Sequence, residues 1–197
     1  MKKIFAFALL GLVCWYAFIH KPAARWRGIP AANEPQQTAN LLPGAFLHEK
    51  YTVTPLAKYS ITAVVLSRDR YRFDDAAKLA PVDLALGWGS MSIADVINEL
   101  SVSQSGRWYE YTYKNEAPLD PQDIARHSAN THCLPADSAV RKQLLAVQRH
   151  DLVTLEGYLV EITTAEGFHW RSSLSRDDTG GGACEVMWVT SVTRKKL

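Results

Sequence analysis

Apolar positions recur along the chain with changing period, and the changes divide it. Ile4 to Ile19 is an uncharged apolar run behind Met1-Lys2-Lys3. Periodicity then lapses. From Lys21 to about Pro55 come Pro22, Pro30, Pro35, Pro43 and Pro55, with AANEPQQTAN between them. That composition predicts an extended tether. Alternation begins at Pro55–Ser67, where Tyr59, Ile61, Ala63 and Val65 oppose Ser60, Thr62 and Val64. This is a strand with both faces partly buried. The expected layout is a membrane segment over 1–20, a linker over 21–55 and one globular domain over 56–197.

Within that domain, Asp83–Gly89 is apolar and closes in a Gly87-Trp88-Gly89 turn, where Trp88 could pack flat on a surface or meet a partner. Ser92-Ile93-Ala94-Asp95 has a capping-box layout, and Ile93, Val96, Ile97 and Leu100 follow on one helical face. Arg107–Tyr113 alternates as a strand with Tyr109, Tyr111 and Tyr113 on one face. Pro121 opens a short helix, and Asp137 caps another whose stripe is Val140, Leu144, Leu145 and Val147. His150–Val192 then reads as a bent three-stranded meander. Gly157 marks a bulge or bend, Gly167 a turn, and Arg176–Glu185 a glycine-rich loop. The fold class is α+β. It is a small bent antiparallel sheet or partly open OB-like barrel of about five strands, with two or three helices, preceded by an N-terminal membrane helix.

Charge adds little. Twenty-two basic against 20 acidic residues give a net +2, no electrostatic footprint for nucleic acid. The N-terminus carries more information. A basic start and an apolar run have the layout of a secretory signal. Poor small-residue spacing near Pro22-Ala23-Ala24 favours an uncleaved anchor over cleavage, and Val13 before Cys14 disfavours lipoprotein processing. Lys2 and Lys3 argue for a cytoplasmic N-terminus and Lys21, Arg25 and Arg27 against it; the first basic region usually decides, which favours the former. The expected localisation is therefore the inner membrane, single pass, with the C-terminal domain in the periplasm. That compartment permits a Cys133–Cys184 disulfide, but two reduced thiols fit the spacing equally well.

Two polar stretches offer chemistry: His127-Ser-Ala-Asn130-Thr-His132, and Ser172 to Glu185. His127, His132, Ser172, Ser173 and Cys184 supply the residue types for a nucleophile and its base, with His127, His132, Ser173 and Cys184 the catalytic candidates. Trp88, Asn130, Trp170, Arg176, Asp177, Asp178 and Glu185 are the binding candidates. Arg176 is expected to pair locally with Asp177 and Asp178. The two histidines stand five positions apart, not at the helical metal-pair spacing. No metal and no cofactor signature is present.

The stretches HSANTHCLPAD (His127 to Asp137), EGYLVEI (Glu156 to Ile162), WRSSLSRDDTGGGACE (Trp170 to Glu185) and PVDLALGWGSMS (Pro81 to Ser92) together resemble a group of small membrane-anchored bacterial proteins of unknown function. The resemblance implies a shared fold and brings no activity with it. Two readings stand. One is a membrane-tethered periplasmic interaction module with an envelope protein partner. The alternative is a hydrolase or metal-dependent enzyme using His127, His132 and the Arg176–Glu185 loop.

Overall fold

A computed structural model describes residues 23–73, 76–178 and 180–197. Its architecture is mixed and dominated by strands: β1 (Gln36–Thr38), β2 (Phe46–His48), β3 (Tyr51–Arg70), β4 (Val82–Gly87), β5 (Leu100–Ser105), β6 (Trp108–Tyr113), β7 (Ser128–Pro135), β8 (Asp151–Thr163), β9 (His169–Arg171) and β10 (Glu185–Lys196). The helices are short: α1 (Ala76–Leu79), α2 (Ala94–Glu99), α3 (Pro121–Arg126) and α4 (Ser138–Ala146). The expectation of about five strands undercounts. Among the described residues the main sheet has eight strands, and β5–β6 form a separate hairpin.

Five strands of the main sheet close on themselves. The order is β3-β4-β7-β10-β8, and β3 returns to pair with β8. β3 can do this because it is 20 residues long. Its first part pairs with β8 from Thr52 to Val64, and its end pairs with β4 from Val64 to Arg70. All neighbours are antiparallel except β7 and β10, which run parallel. Alternation along these strands sends Tyr59, Ile61, Ala63, Leu84, Cys133, Leu155 and Met187 into one buried cluster, which Val140 and Leu144 of α4 join. Burying side chains of this size stabilises by roughly 2 kcal/mol each. The α4 N-cap is the Asp137 carboxylate, which accepts from the Val140 amide at 2.8 Å.

Gly157 lies where β8 passes closest to β10. A Cβ there would sit 1.9 Å from the Trp188 carbonyl oxygen, and the ladder slips between Val189 and Ser191 opposite it. The irregularity expected at Gly157 is thus carried by the facing strand. The outer wall is covered twice. One outer cluster includes Val53, Leu79, Leu134 and Trp188. The other lies beneath the β5–β6 hairpin and includes Leu66, Met91, Ile97 and Val102.

Several expectations change. The stretch read as a tether is held to the barrel from residue 24 onward. The Ala24 amide donates to Asn98 Oδ1 at 2.8 Å, Ala31 is buried, and β1 and β2 pair with β3. The polar run His127–His132 is not a loop. It enters β7, which is buried along its whole length between β4 and β10. The expected placement in the inner membrane as a single-pass protein with a periplasmic domain is not upheld. Among the described residues no helix is long and apolar enough to cross a membrane. The membrane helix expected over residues 1–20 lies outside the described residues.

Candidate functional site

The register of the barrel assembles the site. Asp83 on β4 is the direct partner of His132 on β7, and Ala85 is the partner of Asn130. On the other side of β7, Glu185 pairs with Thr131 and Val186 with His132. Cys184, one residue earlier, therefore falls beside Asn130. With a side-chain period of two, Asp83, Asn130, His132 and Cys184 share the outer face, while Thr131 and Glu185 turn inward.

On that face the groups form a line. Asp83 Oδ2 is 2.8 Å from His132 Nδ1. The contact is close but poorly directed, since neither atom makes a hydrogen bond of regular geometry. The Cys184 thiol lies near enough to the imidazole to help raise its pKa. Asp83 is fully buried, His132 nearly so, and Cys184 half-buried. Burial pulls the His132 pKa down, but Asp83 and Cys184 outweigh it and the net shift is upward. The Asp83 charge is held from behind by Arg107, whose Nη1 lies 3.3 Å from Oδ1. Trp170 roofs the imidazole at 4.6 Å between ring centroids, and Arg107 stacks over Trp170 and Tyr71.

Arg107 owes its position to a two-residue turn. Gly106 and Arg107 have φ of 58° and 70°, the left-handed pair that a tight hairpin needs. Such a φ is uncommon for a residue with a Cβ, and polar contacts hold it. The Arg107 carbonyl accepts from Asn130 Nδ2 at 3.0 Å, and its amide donates to the Tyr71 hydroxyl at 3.1 Å. Gln104 Nε2 donates to Asn130 Oδ1 at 2.7 Å, which fixes the orientation of that amide group. The Asn130 Nδ2 also lies 3.7 Å from Cys184 Sγ. One N–H therefore locks the hairpin while the other faces the thiol.

The thiol opens onto a cleft of about 480 Å³ between β6 and the loop 175–185. Its walls include Trp108, Tyr109 and Tyr111 on one side and Arg176 and Asp178 on the other. Tyr109 is anchored by a 2.7 Å hydrogen bond between its hydroxyl and Ser128. No protein-family model, curated protein or solved structure matches this chain.

The remaining sequence candidates divide by place. His132, Cys184, Asn130 and Trp170 are brought together, and Arg176, Asp178 and Glu185 line the same cleft. His127 is not with them. It precedes β7, about 16 Å from His132 at the rise of a strand, and its Nε2 faces Glu34 at 3.3 Å. Trp88 is no surface ring. It is fully buried and donates from Nε1 to Glu34 Oε2 at 2.8 Å. Ser172 and Ser173 organise the loop. The Ser172 hydroxyl accepts from the Val186 amide, and Ser173 donates to Asp178 at 2.6 Å. The expected pairing of Arg176 with Asp177 and Asp178 is replaced. Arg176 reaches inward to buried Glu185, while Asp177 pairs on the surface with Arg126 at 2.9 Å. Cys133 and Cys184 are both free thiols. They face opposite sides of the barrel wall. Among the described residues no three His, Cys, Asp or Glu side chains are placed to hold a metal ion.

Asp83 and Arg107 are the two contributors that the sequence reading missed. A signal for Asp83 was present: an aspartate inside the apolar run Val82–Gly87 needs a buried partner. For Arg107 only its place after Gly106 pointed to a turn, and nothing local pointed to Asp83.

Proposed function

We propose that this protein is a cysteine-nucleophile enzyme of acyl transfer, with Cys184 as nucleophile, His132 as base and then acid, and Asp83 as the group that holds the imidazole. The observation that carries this reading is the alignment of Asp83, His132 and Cys184 on one face of the barrel, with Cys184 itself lining an open cleft. A thiol needs a neighbouring base to become a strong nucleophile, and the base needs an orienting partner. Cys184 Sγ attacks a carbonyl carbon while its proton passes to His132. The oxyanion so formed is met by the second N–H of Asn130, beside the sulfur. His132 then gives the proton to the leaving group, and the bond to that group breaks. Water or an amine attacks the thioester next, losing a proton to His132 and releasing the thiol.

The barrel supports the same reading. Its ring order, its parallel β7–β10 pair and the helix between β7 and β8 are consistent with an OB-like barrel. Such barrels bind ligands on the outer face of their second and third strands, here β4 and β7. The experiment is acylation of the full chain with p-nitrophenyl acetate. Expected is a stoichiometric burst of nitrophenol, with the acetyl group mapped by mass spectrometry to Cys184 and lost in Cys184→Ala and His132→Ala. Acetylation of Cys184 no faster than that of free cysteine overturns the proposal.

A further inference from the structure

The cleft has one wall that is not made of side chains alone. Trp108 to Thr112 line it as an unbroken run, although alternate residues of a strand point to opposite faces. A strand lines a cleft with every residue only when it presents its edge. β6 pairs with β5 and no other described strand, so that edge is open. The register tells which groups it offers. The two-residue turn Gly106-Arg107 makes Ser105 and Trp108 a hydrogen-bonded pair, and bonded pairs then alternate through Ser103–Glu110 and Ser101–Thr112. The amides and carbonyls of Tyr109 and Tyr111 therefore point away from β5, into the cleft. The edge also lacks the devices that keep strands apart. It contains no proline and no lysine, and Glu110 is its one charge.

From this we infer that the substrate is an extended polypeptide segment, which adds as a third strand to the free edge of β6 and lays one of its carbonyls over Cys184. The inference rests on the acyl-transfer reading of the site. A row of outward donors and acceptors with strand spacing is complementary to another extended backbone. The opposite wall is the glycine-containing loop that ends at Cys184. A Cβ on Gly181 would touch the Trp108 ring at 3.8 Å, so glycine in this loop leaves the entrance narrow yet open beside Trp108. Side chains of the bound segment alternate between the cleft floor at Ser128 and Asn130 and the solvent. The bond cleaved is then a backbone amide. The Cys184 sulfur–carbon bond forms, the carbon–nitrogen bond breaks, and the amine leaves with the proton held by His132.

The test uses the full chain as Cys184→Ala, which holds substrate without cleaving it, and a randomised decapeptide library. The tightest-binding sequence is then N-methylated one amide at a time. Expected is a period of two: methylation at amides facing β6 weakens binding at least tenfold, and methylation at the intervening amides less than threefold. Amide exchange of Tyr109 and Tyr111 slows when peptide is bound. Retention of no peptide, methylation effects without alternation, or protection of β6 that depends on protein concentration alone, as in pairing of two copies, each overturns the inference. Acylation of unmodified Cys184 by p-nitrophenyl acetate reads the chemistry separately. Acylation without peptide pairing removes only the edge-pairing inference, and pairing without acylation removes only the acyl-transfer reading.

Discussion

Replacing Asp83 with asparagine removes a charge while keeping the shape, and the structure sets the size of the effect. Asp83 is fully buried and lies 3.3 Å from the Arg107 guanidinium and 2.8 Å from the His132 ring. At an effective dielectric of about 20, the Coulomb attraction to the Arg107 guanidinium at such a separation is about 5 kcal/mol, and that to the imidazole is similar only when the ring is protonated, before the cost of desolvation. The net loss is smaller. Removing one member of a buried pair costs about 3–5 kcal/mol, because the other charge stays behind. Arg107 is 18% exposed and keeps its contacts with Tyr71 and the Ala80 carbonyl, so Asp83→Asn belongs at the low end, about 3 kcal/mol. With a slope of about 2 kcal/mol per molar urea, the midpoint falls by about 1.5 M. Tryptophan fluorescence in urea at pH 7 measures it. The double variant Asp83→Asn/Arg107→Met recovers part of the loss, since the stranded cation goes too, with a coupling above about 1 kcal/mol. In the same protein, iodoacetamide labels Cys184 at least tenfold more slowly, because the imidazole has lost the carboxylate that orients it. A midpoint within about 0.25 M of the parent, together with an unchanged labelling rate, refutes the reasoning.

Three further outcomes follow from other parts of the molecule. The His132 pKa is raised, so its contribution to stability is complete below its unfolded value near 6.5 and is lost as pH rises through the folded value; urea midpoints of the parent minus those of His132→Gln decline from neutral to alkaline pH. His150 has the opposite sign: burial, with Arg149 adding, pushes it down to about 4, so its penalty grows as pH falls from about 6.5 to about 4. His150→Asn, which tolerates the φ of 68°, makes that acid limb shallower by on the order of 2 kcal/mol after allowing for solvent access, read from midpoints at pH 4 and pH 7. Gly157→Ala drives a Cβ to 1.9 Å from the Trp188 carbonyl oxygen and lowers stability by more than about 3 kcal/mol in urea, whereas Gly180→Ala meets no neighbour within 4 Å and costs only the strain of its φ of 81°.

What the sequence made legible is what lies in local pattern. The β-rich α+β class, the Asp137-capped helix and the Arg107–Tyr113 strand rest on alternation, helical spacing and caps, and all three are present. Local pattern failed where tertiary cover overrides composition. Ser128, Asn130 and His132 made the segment before Cys133 look like a polar loop, yet it is the central buried strand. It can be so because α3 and the hairpin hydrogen-bond Ser128 and Asn130, and Asp83 lies against the His132 ring. The Ser128 hydroxyl donates to the Ile124 carbonyl, and Asn130 is fixed by Gln104 and Arg107. Alternation of Ser128, Asn130 and His132 against Ala129 and Cys133 was the sign that this is a strand.

The proposed nucleophile and base were both visible as residue types, but their union depends on one long-range fact that no local pattern carries. β10 must return beside β7, and must do so in parallel, for Cys184 to arrive one step from His132. A slip of one residue in that pairing would turn Cys184 into the barrel and Glu185 out onto the cleft. Glu185 guards against this. Its carboxylate is buried on the inner side and held by Arg176, which also contacts Gln37 and the Tyr59 ring. Exposing Cys184 on the wrong face would break that ion pair and leave both partners without it. The Arg176–Glu185 pair is thus a register lock for Cys184. It ties the buried Glu185 carboxylate, at the edge of the cleft, to the placement of Cys184 on the neighbouring face.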